Sequence, residues 1–190
     1  MDIQDVWRRK YRIPLETPRL LLRPFVDEDE GWLAGLHLDP EVTRYLWEGA
    51  DTEVKARRAA GVLVQLDQQM CQLGHWAILD RESGQAHGWT ELTKLRPWDG
   101  PSDEIALSYV LRRASWGRGI ATEAAGSLLQ YAFEVHQLER VMAVTMAGHE
   151  ASQRVLEKLG MCFVKTLKSR SGPVLRYFRI DNPSADTIAR

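Results

Sequence analysis

The sequence predicts an α/β protein, a mixed α+β fold in which helices flank one sheet. Three observations predict it. Short apolar segments rich in β-formers alternate with segments whose apolar residues recur at helical spacing. Polar, glycine-bearing turns separate strands midway along the chain and again near its end, which implies hairpins and antiparallel pairing. Between these, the strand "IALSYVL" at Ile105–Leu111 runs into a helix through "WGRGIATEAAG" at Trp116–Gly126. The predicted order is βαα, an antiparallel run of strands, then βαβαββ, in one domain over residues 1–190 with its core at about 16–180. Residues 1–15 read as an arm and 181–190 as a frayed tail.

Each element has its own signal. Arg19–Phe25, "RLLLRPF", is a first strand ending at Pro24. Asp27 with Glu30 predicts a capping box, and Trp32, Leu33 and Leu36 supply the face of the helix behind it. A second helix spans about Thr52–Gln69, with Ala59, Val62, Leu63, Leu66 and Met70 as its apolar stripe. His75–Leu79 and Ala86–Leu95 form a hairpin around "DRESGQ", and Arg96–Asp103 is a loop. Glu104–Leu111 is the strand before the glycine loop. After the loop, Ala121, Ala124, Ala125, Leu128, Leu129, Ala132 and Phe133 mark the most periodic helix in the sequence. Val141–Met146 reads as a central strand, apolar on both faces. Ala151–Leu159 is a helix with Ser152, Val155, Leu156 and Leu159 on one face, stopped by Gly160. "MCFVKTL" and "VLRYFRI" close the chain as a hairpin.

Composition narrows the function. With 190 residues, 44% hydrophobic and 27% charged, the chain has the makings of an ordinary packed domain. A formal net charge of −1 offers no global field for nucleic acid or an anionic membrane. "WRRKYR" at Trp7–Arg12 is basic and aromatic, but in a neutral chain it reads as a solvated arm, not a nucleic-acid site. No apolar run reaches the roughly 18 residues of a membrane span, and the N-terminus has no signal core. Cys71 and Cys162 have neither metal-ligand nor redox spacing, so two buried, reduced thiols in a cytoplasmic protein are expected.

The glycine loop carries the chemistry. Gly117 and Gly119 let the backbone take unusual dihedrals and approach a ligand, and the helix behind them points free N–H groups and a positive dipole end at the loop. That arrangement suits an anion. No G-x-x-x-x-G-K-[ST] string exists, and the third glycine or alanine of a dinucleotide fingerprint is replaced by Thr122. What remains is Gly119-x-Ala121 at the helix start, preceded by Trp116-Gly117.

In that form "SYVLRRASWGRGIATEAAGSLLQYAFE" resembles the acyl-CoA pyrophosphate loop of the GNAT acetyltransferase superfamily. Its tryptophan-glycine start and "ATEA" resemble the branch that includes ribosomal-protein N-terminal alanine acetyltransferases. "HEASQRVLEKLGM", "TPRLLLRPF" and "DPEVTRYL" are similar to further blocks of the same family, in its order and spacing. The resemblance implies a central, mostly antiparallel sheet, acetyl-CoA (CoA) as co-substrate, no metal, and a primary amine as acceptor. It implies that the end of the strand Glu104–Leu111, at Val110 and Leu111, pairs with pantetheine amides, and that Arg112 and Arg118 steer or pair the remaining phosphates. It also implies that Gly117, Arg118, Gly119, Ile120, Ala121 and Thr122 hold the pyrophosphate. Arg113 is read as a solvated loop residue.

Two departures stand out. The second block of the family begins with an asparagine that helps seat pantetheine; here it begins with His149. A tyrosine that serves as general acid in many members is Leu156 here, which leaves Ser152 as the donor to the leaving thiolate. A helix-start serine bonded to its own backbone is an equal reading of Ser152. His149 can itself donate a proton, though it reads first as a surface-loop histidine.

The acceptor is argued from magnitudes. An amine attacks a thioester only when neutral. Deprotonating a lysine amine at pH 7 costs about 4–5 kcal/mol, and an α-amine only about 1 kcal/mol. An α-amine therefore needs positioning and a proton path more than a strong base. Glu104 matches the acidic position that often serves as base in the family, and Glu91 on the neighbouring hairpin arm is the alternative. Trp47, Trp89, Trp98 and Tyr109 are candidates to line an acceptor pocket, with core packing as the other reading. The expected partner is thus a protein N-terminal α-amine or a small-molecule amine such as an aminoglycoside or polyamine. A non-catalytic acyl-CoA-binding module is the competing class, and either a monomer or a homodimer fits.

Overall fold

Alternating apolar side chains give each strand two buried faces or one, and the chain uses both patterns. In the computed structural model, residues 12–46, 51–70, 73–95, 103–168 and 172–184 are described. Trp47, Cys71, Trp98, most of the basic arm and most of the Arg96–Asp103 loop lie outside them. Eight strands form one sheet: β1 (Leu15–Glu16), β2 (Leu20–Arg23), β3 (Gly74–Asp80), β4 (Ala86–Lys94), β5 (Ile105–Leu111), β6 (Arg140–Met146), β7 (Cys162–Lys168) and β8 (Val174–Asp181). Their order is β1-β2-β3-β4-β5-β6-β8-β7. Every neighbouring pair is antiparallel except β5 with β6. The sheet begins at Leu15, which pairs with Leu22, and runs through Asp181, opposite Arg140.

The β5–β6 junction shapes the molecule. β4 follows β5 residue by residue from Lys94↔Ile105 to Gly88↔Leu111. β6 follows β8 from Arg140↔Asp181 to Met146↔Leu175. β5 and β6 meet in parallel at Ala106↔Met142 alone. Beyond Ala106 the two half-sheets part, and the outer edge of β5 from Leu107 onward has no strand beside it among the described residues.

Among the described residues five α-helices cover the two faces: α1 (Glu30–Leu38), α2 (Pro40–Thr43) and α3 (Glu53–Gln68) on one, α4 (Ile120–Glu134) and α5 (Glu150–Lys158) on the other. Leu20, Leu22, Trp76, Ile78, Leu92 and Leu107 pack against Ile120, Ala124, Ala125 and Leu128 of α4. The alanines let α4 lie close on the sheet, as its periodicity implies. On the opposite face Phe25, Ala77 and Leu79 pack against Leu33 and Ala34 of α1 and Ala56, Ala60 and Val64 of α3.

Three local expectations are corrected. Asp27 does not cap α1; the buried Asp29 organises that entry, accepting from Val26 N–H (2.9 Å) and Trp32 Nε1 (2.8 Å) and pairing with Arg23. α3 buries Ala56, Ala60, Val64 and Asp67, while Val62 and Leu66 are 47% and 56% exposed. The small side chains permit close approach, and Asp67 is drawn inward by Arg12 and His75. Cys162 is exposed, because it stands on the edge strand β7.

Candidate active site

The glycines of the loop are dictated by backbone shape. Gly117 has φ +72° and Gly119 has φ +77°, both in the left-handed region where a Cβ is strained. A Cβ at Gly117 would meet nothing within 4 Å, so the loop is open on its outer side. Gly119 is the residue before α4, whose first intrahelical bond runs from Glu123 N–H to the Gly119 carbonyl (3.0 Å). The N–H groups of Ile120, Ala121 and Thr122 precede that bond and face the loop with the positive end of the helix dipole. The Ile120 side chain is core, so only its backbone is available there.

The loop is pinned from three sides. Trp116 Nε1 donates to the Leu111 carbonyl (2.8 Å), and Ser115 Oγ lies 2.9 Å from Nδ1 of the buried His87. Glu123, the acid of "ATEA", accepts from Thr17 Oγ1 (2.6 Å), Arg19 N–H (3.1 Å) and Arg19 Nε (2.6 Å). Burial opposes its charge, but those bonds win and hold the carboxyl below its ordinary range. Two blocks far apart in sequence, "TPRL" and "ATEA", are thus one contact. Arg113 pairs with Glu41 (2.9 Å) and lies over the Trp116 ring, as its reading as a surface residue anticipates. Arg112 turns its N–H to the His87 carbonyl (2.9 Å), away from the open edge of β5. Val110 and Leu111 have buried side chains, so they too offer backbone only.

Across the gap between β5 and β6 stands the start of α5. Tyr109 Oη donates to the Ser152 carbonyl (3.1 Å) and lies 3.0 Å from Ser152 Oγ. The hydroxyl of Ser152 is therefore engaged with β5 and not only with its own helix. Burial pushes the Tyr109 phenol up to about 12, against a smaller lowering by Ser152, so it stays protonated. His149 precedes α5 and is half-buried, stacked on Tyr45 with ring centroids 4.1 Å apart and planes at 12°. It is not a free surface-loop residue; burial lowers its pKa and favours the neutral imidazole. The next turn of α5 is tied down by Gln153, which donates to the Ala147 carbonyl (2.8 Å) and accepts from Arg176.

The two candidate bases stand on β4 and β5, on the face toward α1 and α2. Strand alternation puts Trp89 and Glu91 of β4 beside Val110 and Ser108 of β5 on that face. Trp89 packs with Trp32, Leu36, Val42 and Val110, while Tyr109 points to the opposite face, toward α5. Glu91 lies opposite Ser108, where β5 and β6 have parted. Glu104 stands just before β5, its carbonyl accepting from Leu95 N–H (2.7 Å). Four residues separate it from Ser108, about 13 Å along an extended chain.

Glu91 is part of a chain of charges that local sequence does not announce. Glu91 Oε2 is 2.8 Å from His75 Nε2, and His75 Nδ1 is 3.0 Å from Asp67 Oδ1. Asp67 in turn accepts from Arg12 Nη1 at 2.6 Å. Desolvation alone lowers the pKa of His75, but the two carboxylates outweigh it and raise it to about 9. Gly74 makes room: a Cβ there would fall 2.7 Å from Arg12 Nη1 and 2.8 Å from Asp67 Oδ1. "GHWAIL" reads simply as a strand, and Asp67 as one more polar residue of a helix. The pairing is visible only once β3, β4 and α3 are side by side. No cluster of three or more candidate metal ligands occurs among the described residues.

The acetyltransferase (GNAT) domain model matches residues 19–162. The chain belongs to the GNAT acetyltransferase family. It is an acetyl-CoA-dependent acyltransferase. YkkB of Bacillus subtilis (strain 168) is 31% identical over 166 residues, 87% of this chain and 94% of that protein. The FsC-acetyl coenzyme A-N(2)-transacetylase of Aspergillus fumigatus is 29% identical over 157 residues, 80% of this chain and 66% of that one. Among solved structures, a GNAT acetyltransferase from Bacillus anthracis superimposes with TM-score 0.74 at 21% identity, over 90% of this chain and 99% of its own. RimL, a ribosomal alpha-N-protein acetyltransferase in complex with coenzyme A, gives TM-score 0.73 at 13% identity, over 90% and 99%. At these identities the structures speak for the fold, and that GNAT fold is the one described above.

Proposed function

We propose that this GNAT enzyme acetylates a primary amine presented at the gap between β5 and β6, and that a protein N-terminal α-amine is the acceptor class it suits. One observation carries the reading: the open edge of β5 leads directly into two left-handed glycines at the start of α4. An unpaired strand edge offers amide partners to pantetheine, and the N–H groups after Gly119 offer a nest for the pyrophosphate. These residues fit acetyl-CoA through backbone atoms, and the fit asks nothing of the side chains of Val110, Leu111 or Ile120. His149, stacked on Tyr45 at the mouth of the gap, borders the same path.

In the reaction the neutral amine nitrogen attacks the thioester carbonyl carbon, an N–C bond forms, and the C–S bond breaks. The nitrogen gives up a proton to a carboxylate, and the sulfur regains one. Ser152 is the proposed donor of the second proton: its hydroxyl turns from Tyr109 Oη to the leaving sulfur and recovers a proton from solvent. The geometry favours Glu91 over Glu104 for the first, since Glu91 stands opposite Ser108 where the gap opens. An α-amine costs about 3–4 kcal/mol less to deprotonate at neutral pH than a lysine amine, which supports it as acceptor.

The test is thiol release from acetyl-CoA with N-terminal peptides, polyamines and aminoglycosides as acceptors. Turnover with peptides that disappears when their α-amine is blocked supports the reading. Turnover confined to polyamines or aminoglycosides replaces the acceptor class, and CoA binding without turnover on any amine points to the acyl-CoA-binding module.

A further inference from the structure

Three groups outside the loop invite a role. His87 is buried with Nε2 unpartnered, yet it lies 3.8 Å from Asp80 and its Nδ1 bond to Ser115 already accounts for it as a brace of the loop. The exposed apolar residues of β7, Phe163 and Val164, have nothing on the molecule to say what covers them. The third is the chain Arg12–Asp67–His75–Glu91, and it carries an argument.

Its members alternate in charge, and Glu91 is the most exposed of them. The side chains of Glu91, His75, Arg12 and Asp67 are 17%, 11%, 4% and 0% exposed. Burying four charged groups is expensive unless each is paired, and packing apolar residues in their place is commonly no worse for stability. A fold gains little from such a chain as a mere brace. What it gains is one carboxylate, the least buried, fixed at the point where β5 and β6 part. On the face toward α1 and α2 the Glu91–Ser108 pair has Trp89 and Val110 on one side and Thr93 and Ala106 on the other. His75 is itself held flat, stacked on Phe25 (5.5 Å, 19°) and met edge-on by Trp89 (5.4 Å, 72°). Asp67 fixes the ring further, through His75 N–H (2.8 Å) as well as Nδ1. This is the logic of a carboxylate that orients a histidine that orients the reacting group.

We infer that Asp67 and His75 are positioning residues that hold Glu91 as the carboxylate receiving the acceptor amine and its proton. The inference rests on the acetyl-transfer reading above. His75 donates Nε2–H to one oxygen of Glu91, so the other is left to face the amine. During the reaction Glu91 takes the proton lost by the nitrogen, and His75 and Asp67 neither gain nor lose one. The charged groups facing His75 are Asp67 from α3, Glu91 from β4, and Arg12, whose Nη1 also donates to the His75 carbonyl (2.6 Å).

The test is a double-mutant cycle on the full chain, with peptide acetylation and CoA affinity measured together. Glu91→Gln should lower kcat/KM for the amine on the order of 100-fold. His75→Asn, whose amide reaches Asp67 but stops short of Glu91, should lower it about tenfold. The double variant should be no worse than Glu91→Gln alone, since His75 acts only through Glu91. His75→Gln, which reaches Glu91, should recover part of the loss. CoA affinity should stay within about twofold throughout. Losses that multiply, or that appear equally in CoA affinity, overturn the inference and make the chain a brace. Should a His75 variant fail to fold, the imidazole signals of wild type and Glu91→Gln decide: a His75 titration that does not fall when Glu91 is replaced overturns the pairing. Wild-type CoA binding without turnover on any amine sinks the acetyl-transfer reading instead, and this inference with it.

Discussion

Tyr109 and Ser152 touch across the gap in the sheet: the phenol oxygen lies 3.0 Å from Ser152 Oγ and 3.1 Å from its carbonyl. β5 and α5 come together there, at the open edge of β5, where the proposed reaction would release its thiol. A phenol held near 12 keeps its proton throughout the neutral range, donates it to the Ser152 carbonyl and accepts from the serine hydroxyl, which fixes the start of α5. Ser152→Ala should therefore lower kcat roughly tenfold while acetyl-CoA affinity changes less than about twofold, because the interaction strengthens only as sulfur gains charge. Tyr109→Phe should show a weaker form of the same pattern. Single-turnover rates beside equilibrium CoA binding check it, and an unchanged chemical step in Ser152→Ala removes the serine from the mechanism.

The second prediction separates backbone shape from charge at the loop. Gly119→Ala asks an L-residue to hold φ +77°, which costs about 1–2 kcal/mol, and its Cβ would lie 3.4 Å from Arg19 Nη2. Gly119→Asp adds to that strain a negative charge beside the proposed pyrophosphate and the dipole end. CoA affinity should fall modestly in the first and by more than about tenfold in the second. Calorimetry on folded protein checks it; equal affinities in wild type and Gly119→Asp move the phosphate site elsewhere.

A third prediction concerns pH and stability, and it follows from the sign of one shift. His75 has its folded pKa raised from 6.5 to about 9 by Asp67 and Glu91, against burial. A raised cationic group contributes its full stabilisation below the unfolded pKa and loses it as pH rises through the folded one. Stability should thus decline between about pH 6.5 and 9, by up to about 3 kcal/mol. Urea midpoints from pH 6 to 10 measure it. The decline should shrink in Glu91→Gln, and a flat wild-type profile would show that His75 is already neutral.

How far the sequence reached depends on whether a signal was local. The loop was legible because two glycines and a run of alanines leave a mark within a dozen residues of one another. The succession of strands along the chain was legible from turns, apart from the short β1 and the placement of β8 beside β6. The face of α3 was not: its buried stripe is Ala56, Ala60, Val64 and an aspartate, while the more apolar Val62 and Leu66 face water. Close packing selected small side chains there, and a hydrophobic stripe points the wrong way. Tyr109 and Ser152 are 43 positions apart and no spacing rule connects them; His75 and Glu91 face each other across the predicted hairpin, but the link onward to Asp67 and Arg12 needs α3 beside β3. Glu104 looked the better base by its place in a motif; the structure adds what the motif lacks, a partner for Glu91.

The last prediction weighs those two carboxylates against each other. Both lie on the α1–α2 side of the sheet, but Glu91 is opposite Ser108 and Glu104 about 13 Å further back along β5. A base must reach its proton directly or through one water, which favours Glu91. Glu91→Gln should remove the acidic limb of the kcat/KM profile, and Glu104→Gln should leave it in place with a smaller loss. The loss in Glu91→Gln should be greater for lysine-like amines than for α-amines, whose deprotonation costs about 3–4 kcal/mol less. Profiles for both variants with a peptide and a diamine acceptor measure this. If the limb survives in Glu91→Gln and vanishes in Glu104→Gln, the roles are exchanged. If it survives in both, the enzyme acts on amines that arrive neutral, and the charge chain behind Glu91 serves binding alone.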